Sequence, residues 1–190
     1  MNTAKWLNCD VWCVDLSAPH RLARATVQDH AEMASGGPTR LVRRRLLRAE
    51  LALRWSVHPD ALHFQREASG QVRVTGPKQA FVSTAQRAQM VVMAVSNEPV
   101  GVDLEPLSSV LASDIADVCP QWDHLNPTAR WTAFEALGKL FSVGTAVPVQ
   151  AIVTRSVSAC ELRLSLAGRK VRIALFPCNE HQIAVAEFEE

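Results

Sequence analysis

No run of apolar residues in this chain approaches the length of a bilayer span, which needs about twenty. Met90–Val95 is among the longest such runs, and its length predicts a buried strand. After its first charge, the N-terminus Met1-Asn2-Thr3-Ala4-Lys5-Trp6 carries no long apolar segment, so no signal peptide is expected. Charge of neither sign is in excess. There are 20 Lys and Arg against 19 Asp and Glu, a formal net charge of +1, which argues against a dedicated nucleic-acid binder. The cysteines are only 5, scattered at positions 9, 13, 119, 160 and 178. That favours reduced thiols in a cytoplasm over a disulfide framework. Cys9 and Cys13 have no second Cys/His pair at finger spacing, so zinc is not expected. The 6 histidines show no H-E-x-x-H spacing and read as structural or exposed. Walker, G-x-G-x-x-G and G-x-S-x-G motifs are also lacking, and no exact internal repeat is present.

What is there fits a folded, soluble chain. Its 190 residues, 48% hydrophobic and 21% charged, suit one large domain or two small ones with a substantial core. Residues 9–16 predict a strand. Residues 19–34 are helical in composition, and Ser35-Gly36-Gly37-Pro38 is a break. Thr39 is a candidate N-cap for a helix over 40–56, with Leu47, Leu51 and Trp55 on one stripe. Strands are predicted over 71–75, 81–83, 90–95 and 100–105, and a modest helix over 108–118. Pro127 fits the start of a helix over 128–142. Beyond Gly144 the chain is β-rich, with strands over 151–157, 161–165, 170–175 and 182–188.

Two short motifs carry the chemistry. In Val100-Gly101-Val102-Asp103-Leu104-Glu105, a strand puts both carboxylates on one face. Gly101 there permits close backbone approach. In Trp131-Thr132-Ala133-Phe134-Glu135-Ala136-Leu137-Gly138-Lys139, Glu135 and Lys139 share a helix face. Asp103, Glu105 and Glu135 offer hard oxygen ligands of the kind Mg²⁺ takes together with substrate phosphates. Lys139 suits a phosphate as a point charge. Together the four read as a site for a metal-bound pyrophosphate. Elsewhere, Arg40, Arg44 and Arg48 recur every four residues within the run Arg40, Arg43, Arg44, Arg45 and Arg48. The bland reading of that run is a solvated helix face.

These motifs resemble the 4′-phosphopantetheinyl transferase superfamily in its longer, surfactin-synthetase-activating form. That family carries G-[IV]-D-x-E and, further on, W-[ST]-x-K-E-A-x-x-K. The flanking elements follow the same order, from Val11–Leu16 through Arg40–Arg54 and Phe81–Val95 to His181–Phe188. The resemblance implies an α+β fold of two pseudo-twofold-related halves, divided here near Asn97 into 1–97 and 98–190, with the site at the seam. It implies a Mg²⁺-dependent transfer of 4′-phosphopantetheine from coenzyme A to a serine of an acyl or peptidyl carrier protein. Asp103, Glu105 and Glu135 would hold the metal, and Glu135 would take the serine proton. Lys139 would contact the pyrophosphate. Arg40 and Arg44 would grip the 3′-phosphate, with Gln71 and Thr84 lining the nucleotide. A monomer with neither nucleic acid nor membrane as partner is expected.

Three positions depart from the family pattern. Thr84-Ala85-Gln86 stands where the family has Ser-His-Ser, Gly70-Gln71-Val72 where it has G-K-P, and Phe134 where its second motif has the first lysine. The departures keep two alternatives open. One is a degenerate member that binds a carrier protein or another nucleotide without transfer. The other is a basic regulatory or nucleic-acid-binding module built on the arginine helix. Asp123, between the motifs, is a further acidic candidate.

Overall fold

In a computed structural model, described over residues 3–6, 8–19, 22–107, 109–115 and 117–189, the chain is α+β with two antiparallel sheets. Strands β1 (Thr3–Trp6), β2 (Cys9–Asp15), β3 (His63–Arg66), β4 (Val72–Thr75), β5 (Ala80–Arg87) and β6 (Met90–Ser96) form the first, in the order β1-β2-β6-β5-β4-β3. The second holds β7 (Val100–Pro106), β8 (Val153–Val157), β9 (Glu161–Leu166), β10 (Arg169–Cys178) and β11 (His181–Phe188), in the order β7-β11-β10-β9-β8. Helix α1 (Val27–Trp55) belongs to the first unit and α2 (Pro127–Leu140) to the second. The sheets part between Ser96 and Val100, around the turn at Asn97. No helix among the described residues is long and apolar enough to cross a membrane.

Three apolar clusters arrange these elements in layers. Leu46, Leu47 and Leu51 of α1 pack on Trp12, Val82, Val91 and Met93 of the first sheet. Ala133, Phe134 and Leu137 of α2 pack on Leu162, Ile173 and Ala184 of the second. Between the sheets lie Val11, Val92 and Ala94 against Val100, Val102, Leu104 and Val185. Strand alternation divides β6 between two of these layers, so every residue of β6 is buried. The same alternation splits β7. Its Val and Leu residues face the other sheet, which turns Gly101, Asp103 and Glu105 towards α2.

Local chemistry explains the helix ends. Thr26 accepts from the Asp29 N–H while Asp29 accepts from the Thr26 N–H, a reciprocal box that satisfies two orphan donors. That box starts α1 at Val27 rather than at Pro19; His20 and Arg21 lie outside the described residues. Gly37, at φ 74° and ψ 175°, breaks the helical path just before Pro38, as the sequence predicts. Asn126 accepts from the Ala129 N–H and Pro127 opens α2. The helix expected over 108–118 does not form among its described residues. Only a short turn of 3₁₀ helix at Ala112–Ile115 appears there, because Ile115 alone in that turn is buried and one apolar anchor cannot hold a helix. Strands β1 and β3 escape the sequence reading, and β5 runs to Arg87, four residues past the predicted end at Ser83.

Candidate functional site

Gly101 decides how closely α2 approaches β7. A Cβ on it would lie 2.0 Å from the Ala136 carbonyl oxygen and 2.6 Å from the Leu140 nitrogen, so only glycine lets the helix sit this low. The closeness brings the acidic residues of β7 under the polar edge of α2. Asp103, Glu105 and Glu135 each offer a carboxylate oxygen within 4.8 Å of the others. Asp103 is 1% exposed and Glu105 5%.

Two cations meet these carboxylates. Lys139 Nζ donates to Asp103 Oδ1 at 2.6 Å and to the Val102 carbonyl at 3.0 Å. Lys139 thus pairs across the helix–sheet interface with Asp103, not along its own helix with Glu135. Arg87, at the end of β5, grips Glu105 with both prongs, at 2.8 Å to Oε2 and 2.5 Å to Oε1. It also lies 3.6 Å from Glu135 Oε2. With three carboxylates against two cations, the cluster keeps one negative charge when fully ionised. Asp103 Oδ2 is buried with no hydrogen-bond partner. A buried carboxylate oxygen in that state carries an unmet desolvation cost and is open to a cation.

The electrostatics follow from the crowding. Burial pushes the Glu135 carboxyl up to about 7, with help from the Asp103 charge and against Lys139 and Arg87. Burial also raises Asp103, outweighing the pull of Lys139. The Glu105 bond, together with the neighbouring carboxylates, raises Arg87 and keeps it charged.

Beside the cluster opens a cleft of about 350 Å³, lined by Arg40, Arg43, Arg44, Arg66 and Lys139 along with Gln71, Ser83 and Thr84. Lys139 belongs to both cleft and cluster. Burial, together with Arg40, Arg44 and Arg87, lowers the Arg43 guanidinium, and its Nε has no hydrogen-bond partner. Crowded cations in a concave wall favour an anionic ligand. Edge strand β7 also meets the cleft wall, since Ser83 Oγ accepts from the Val102 N–H at 3.1 Å.

The expected residues divide by location. Asp103, Glu105, Glu135 and Lys139 converge, and Arg40, Arg44, Gln71 and Thr84 line the adjoining cleft. Gln71 does more than line it. Its Nε2 donates to the Lys139 carbonyl at 3.0 Å and to that of Leu140, capping the end of α2 from the other half of the chain. Arg48 leaves the stripe it shares with Arg40 and Arg44. It is 1% exposed, bonds both oxygens of Asp29 at 2.8 and 3.0 Å and donates to the Leu62 carbonyl. Asp123 is exposed beside His124 and lies outside the cluster. Phe134 is buried in the core under α2 and Ala85 in the core between the sheets. Neither lines the cleft.

Sequence reasoning misses Arg43, Arg66, Ser83 and Arg87. Arg43 has a signal, because positions 40, 43, 44 and 47 form one helix face and Leu47 lines the cleft too. Arg66 and Arg87 have none: Arg66 reaches the cleft from the end of the β3–β4 hairpin, and Arg87 meets Glu105 because β5 packs against β7 of the other sheet. Compared with known proteins, the chain matches no family model and no curated protein.

Proposed function

We propose that this protein is a 4′-phosphopantetheinyl transferase of the two-half type. It would move the phosphopantetheine of coenzyme A to a serine of an acyl or peptidyl carrier protein and release adenosine 3′,5′-bisphosphate. The observation that carries the reading is the continuity of the acidic triad with a five-cation cleft through Lys139. A diphosphate ester of a nucleotide has charge to fill both. Two antiparallel sheets, each with its own helix, support the reading, as does a cleft that takes its arginines from the first half and Lys139 from the second, although the triad itself lies within the second half.

The donor set fits a divalent cation. Asp103 Oδ2 is buried and no donor reaches it, carboxylate oxygens of Glu105 and Glu135 lie within 4.8 Å of one on Asp103, and an all-oxygen set of this kind suits Mg²⁺. Asp103, Glu105 and Glu135 would hold it. Such an ion supplies charge neutralisation on the phosphate oxygens. The chain's own residues do the rest. Lys139 places a positive charge beside the phosphate that takes up electron density as the leaving group departs. Arg40, Arg43, Arg44 and Arg66 hold the remaining phosphates and so orient the diphosphate. The serine oxygen bonds to the phosphorus next to pantetheine, the bridging P–O bond breaks, and the serine proton passes to Glu135. A cation bound beside it would favour the ionised carboxylate, the form that can accept a proton. Phe134 and Ala85 lie in cores rather than in the cleft, so two of the three departures from the family pattern remove no charge from it, and Arg66 supplies charge beside Gln71.

A second reading, binding without transfer, is favoured by one observation: Arg87 already occupies both oxygens of Glu105. Mass spectrometry of an apo carrier protein incubated with this chain, coenzyme A and MgCl₂ separates the two. Gain of one phosphopantetheine supports transfer. An unchanged mass across a panel of carriers, with coenzyme A bound in calorimetry, rejects transfer and leaves binding.

A further inference from the structure

Arg87 is the cation that the triad does not need if a divalent ion is resident. Its guanidinium forks onto Glu105 and reaches towards Glu135, so two of the three candidate metal ligands face a fixed positive charge. The third, Asp103, is 1% exposed and keeps Oδ2 unpartnered. A divalent ion entering there must share an oxygen of Glu105 with Arg87 or displace it, and in either case sits close to a guanidinium. Both effects weaken its binding. Arg87 is 43% exposed on its side chain, against 7% for Glu105. The arginine is therefore the partner with room to move.

We propose that Arg87 is a built-in counter-cation that competes with the divalent ion for Glu105, so that metal enters together with a diphosphate rather than before it. A diphosphate offers the displaced guanidinium planar, two-pronged recognition equivalent to the carboxylate it leaves. Its charge also offsets the repulsion between the arginine and the ion. Without ligand, Arg87 and Lys139 keep three crowded carboxylates assembled. With ligand, Arg87 becomes a phosphate contact. The inference rests on the metal reading above and adds an order of loading to it.

Mn²⁺ binding to the metal-free chain, followed by water-proton relaxation, tests it. The unaltered protein should take up Mn²⁺ weakly when it is alone, and Arg87→Gln should tighten that uptake at least about tenfold. Arg87→Lys, which keeps the charge but loses the fork, should fall between them. Inorganic pyrophosphate titrated calorimetrically in the presence of a chelator should bind Arg87→Gln about tenfold more weakly than the unaltered chain. Equal Mn²⁺ affinity in the unaltered protein and a folded Arg87→Gln, with uptake plainly measurable in both, overturns the proposal and leaves the metal site standing. No Mn²⁺ uptake by any of the three proteins, even with pyrophosphate, overturns the metal reading as well. If Arg87→Gln does not fold, Arg87→Lys carries the same comparison, and affinity equal to that of the unaltered chain overturns the proposal.

Discussion

Lys139 on α2 and Asp103 on β7 are 36 residues apart in sequence and 2.6 Å apart in space, with the carboxylate buried. The pair joins helix to sheet beneath the cleft, and each partner also has a role in the proposed chemistry. Replacing Asp103 by Asn keeps the shape and an oxygen for Lys139 but removes the charge. Transfer activity should fall on the order of hundredfold or more, while the melting temperature stays within a few degrees. Turnover and thermal unfolding of the same variant check this. Full activity in Asp103→Asn would falsify the metal-ligand role.

Lys139→Ala removes a charge-assisted contact worth roughly 1.5–3 kcal/mol. Transfer should therefore drop about ten- to a hundredfold. An ordinary surface pair would give only a few tenths of a kcal/mol and no catalytic defect. Comparing the loss of turnover with the change in melting temperature separates the two.

Coenzyme A affinity should map onto the cleft rather than onto the arginine run as a whole. Arg43→Ala and Arg66→Ala should each weaken binding about ten- to a hundredfold. Arg45→Ala should leave it unchanged, because Arg45 Nε donates to the Ala23 carbonyl and does not line the cleft. Calorimetric titration of the three variants decides the matter. Equal losses in all three would point to a diffuse field instead of a built site.

Much of this site was legible in the sequence, and the limit has a physical form. Period two in β7 and period four in α2 locate Asp103, Glu105, Glu135 and Lys139, because local geometry fixes which side chains share a face. That Glu135 and Lys139 share a face does not say that they pair, and here the buried Asp103 is the stronger partner for the lysine. Arg87 reaches the site because β5 packs against β7 of the other sheet, and Arg66 because the β3–β4 hairpin borders the cleft; no local pattern encodes either packing. The same holds for Arg48. Its spacing places it with Arg40 and Arg44, but one more turn of helix carries it under the protein surface to Asp29.

That buried pair predicts a large stability effect. Arg48 and Asp29 are each 1% exposed on their side chains, and Asp29 also closes the capping box of α1. Asp29→Ala leaves a guanidinium buried without its counter-charge, at a cost of about 3–5 kcal/mol. Chemical denaturation should show the loss with an unchanged slope.

Glu135 predicts the opposite of the usual carboxylate behaviour with pH. Its folded-state pKa of about 7 lies above the model-peptide value of 4.5, so between these values the native state binds more protons than the unfolded one. Stability of the metal-free protein is then greatest below about pH 4.5 as far as this group is concerned, and is lost as pH rises through 7. Asp103, also raised, adds in the same direction. Melting temperatures of the metal-free chain from pH 5 to 8 should fall, and Glu135→Gln should flatten the slope. A slope unchanged in Glu135→Gln would assign the effect elsewhere.

The amide of Gln71 links the order of folding to the making of the site. The last carbonyls of α2 find a donor on the residue just before β4, far back in the chain, so the turn that carries Lys139 is completed only when the β3–β4 hairpin has docked. A chain cut between the two sheets would leave one fragment with the arginines and the other with the carboxylates and a frayed helix end. Neither fragment would hold the cleft, and recovering it would depend on fragment concentration, as in a two-subunit assembly. Loop closure between the halves thus fixes the arginine-lined cleft and the acidic triad at one stoichiometry within a single polypeptide.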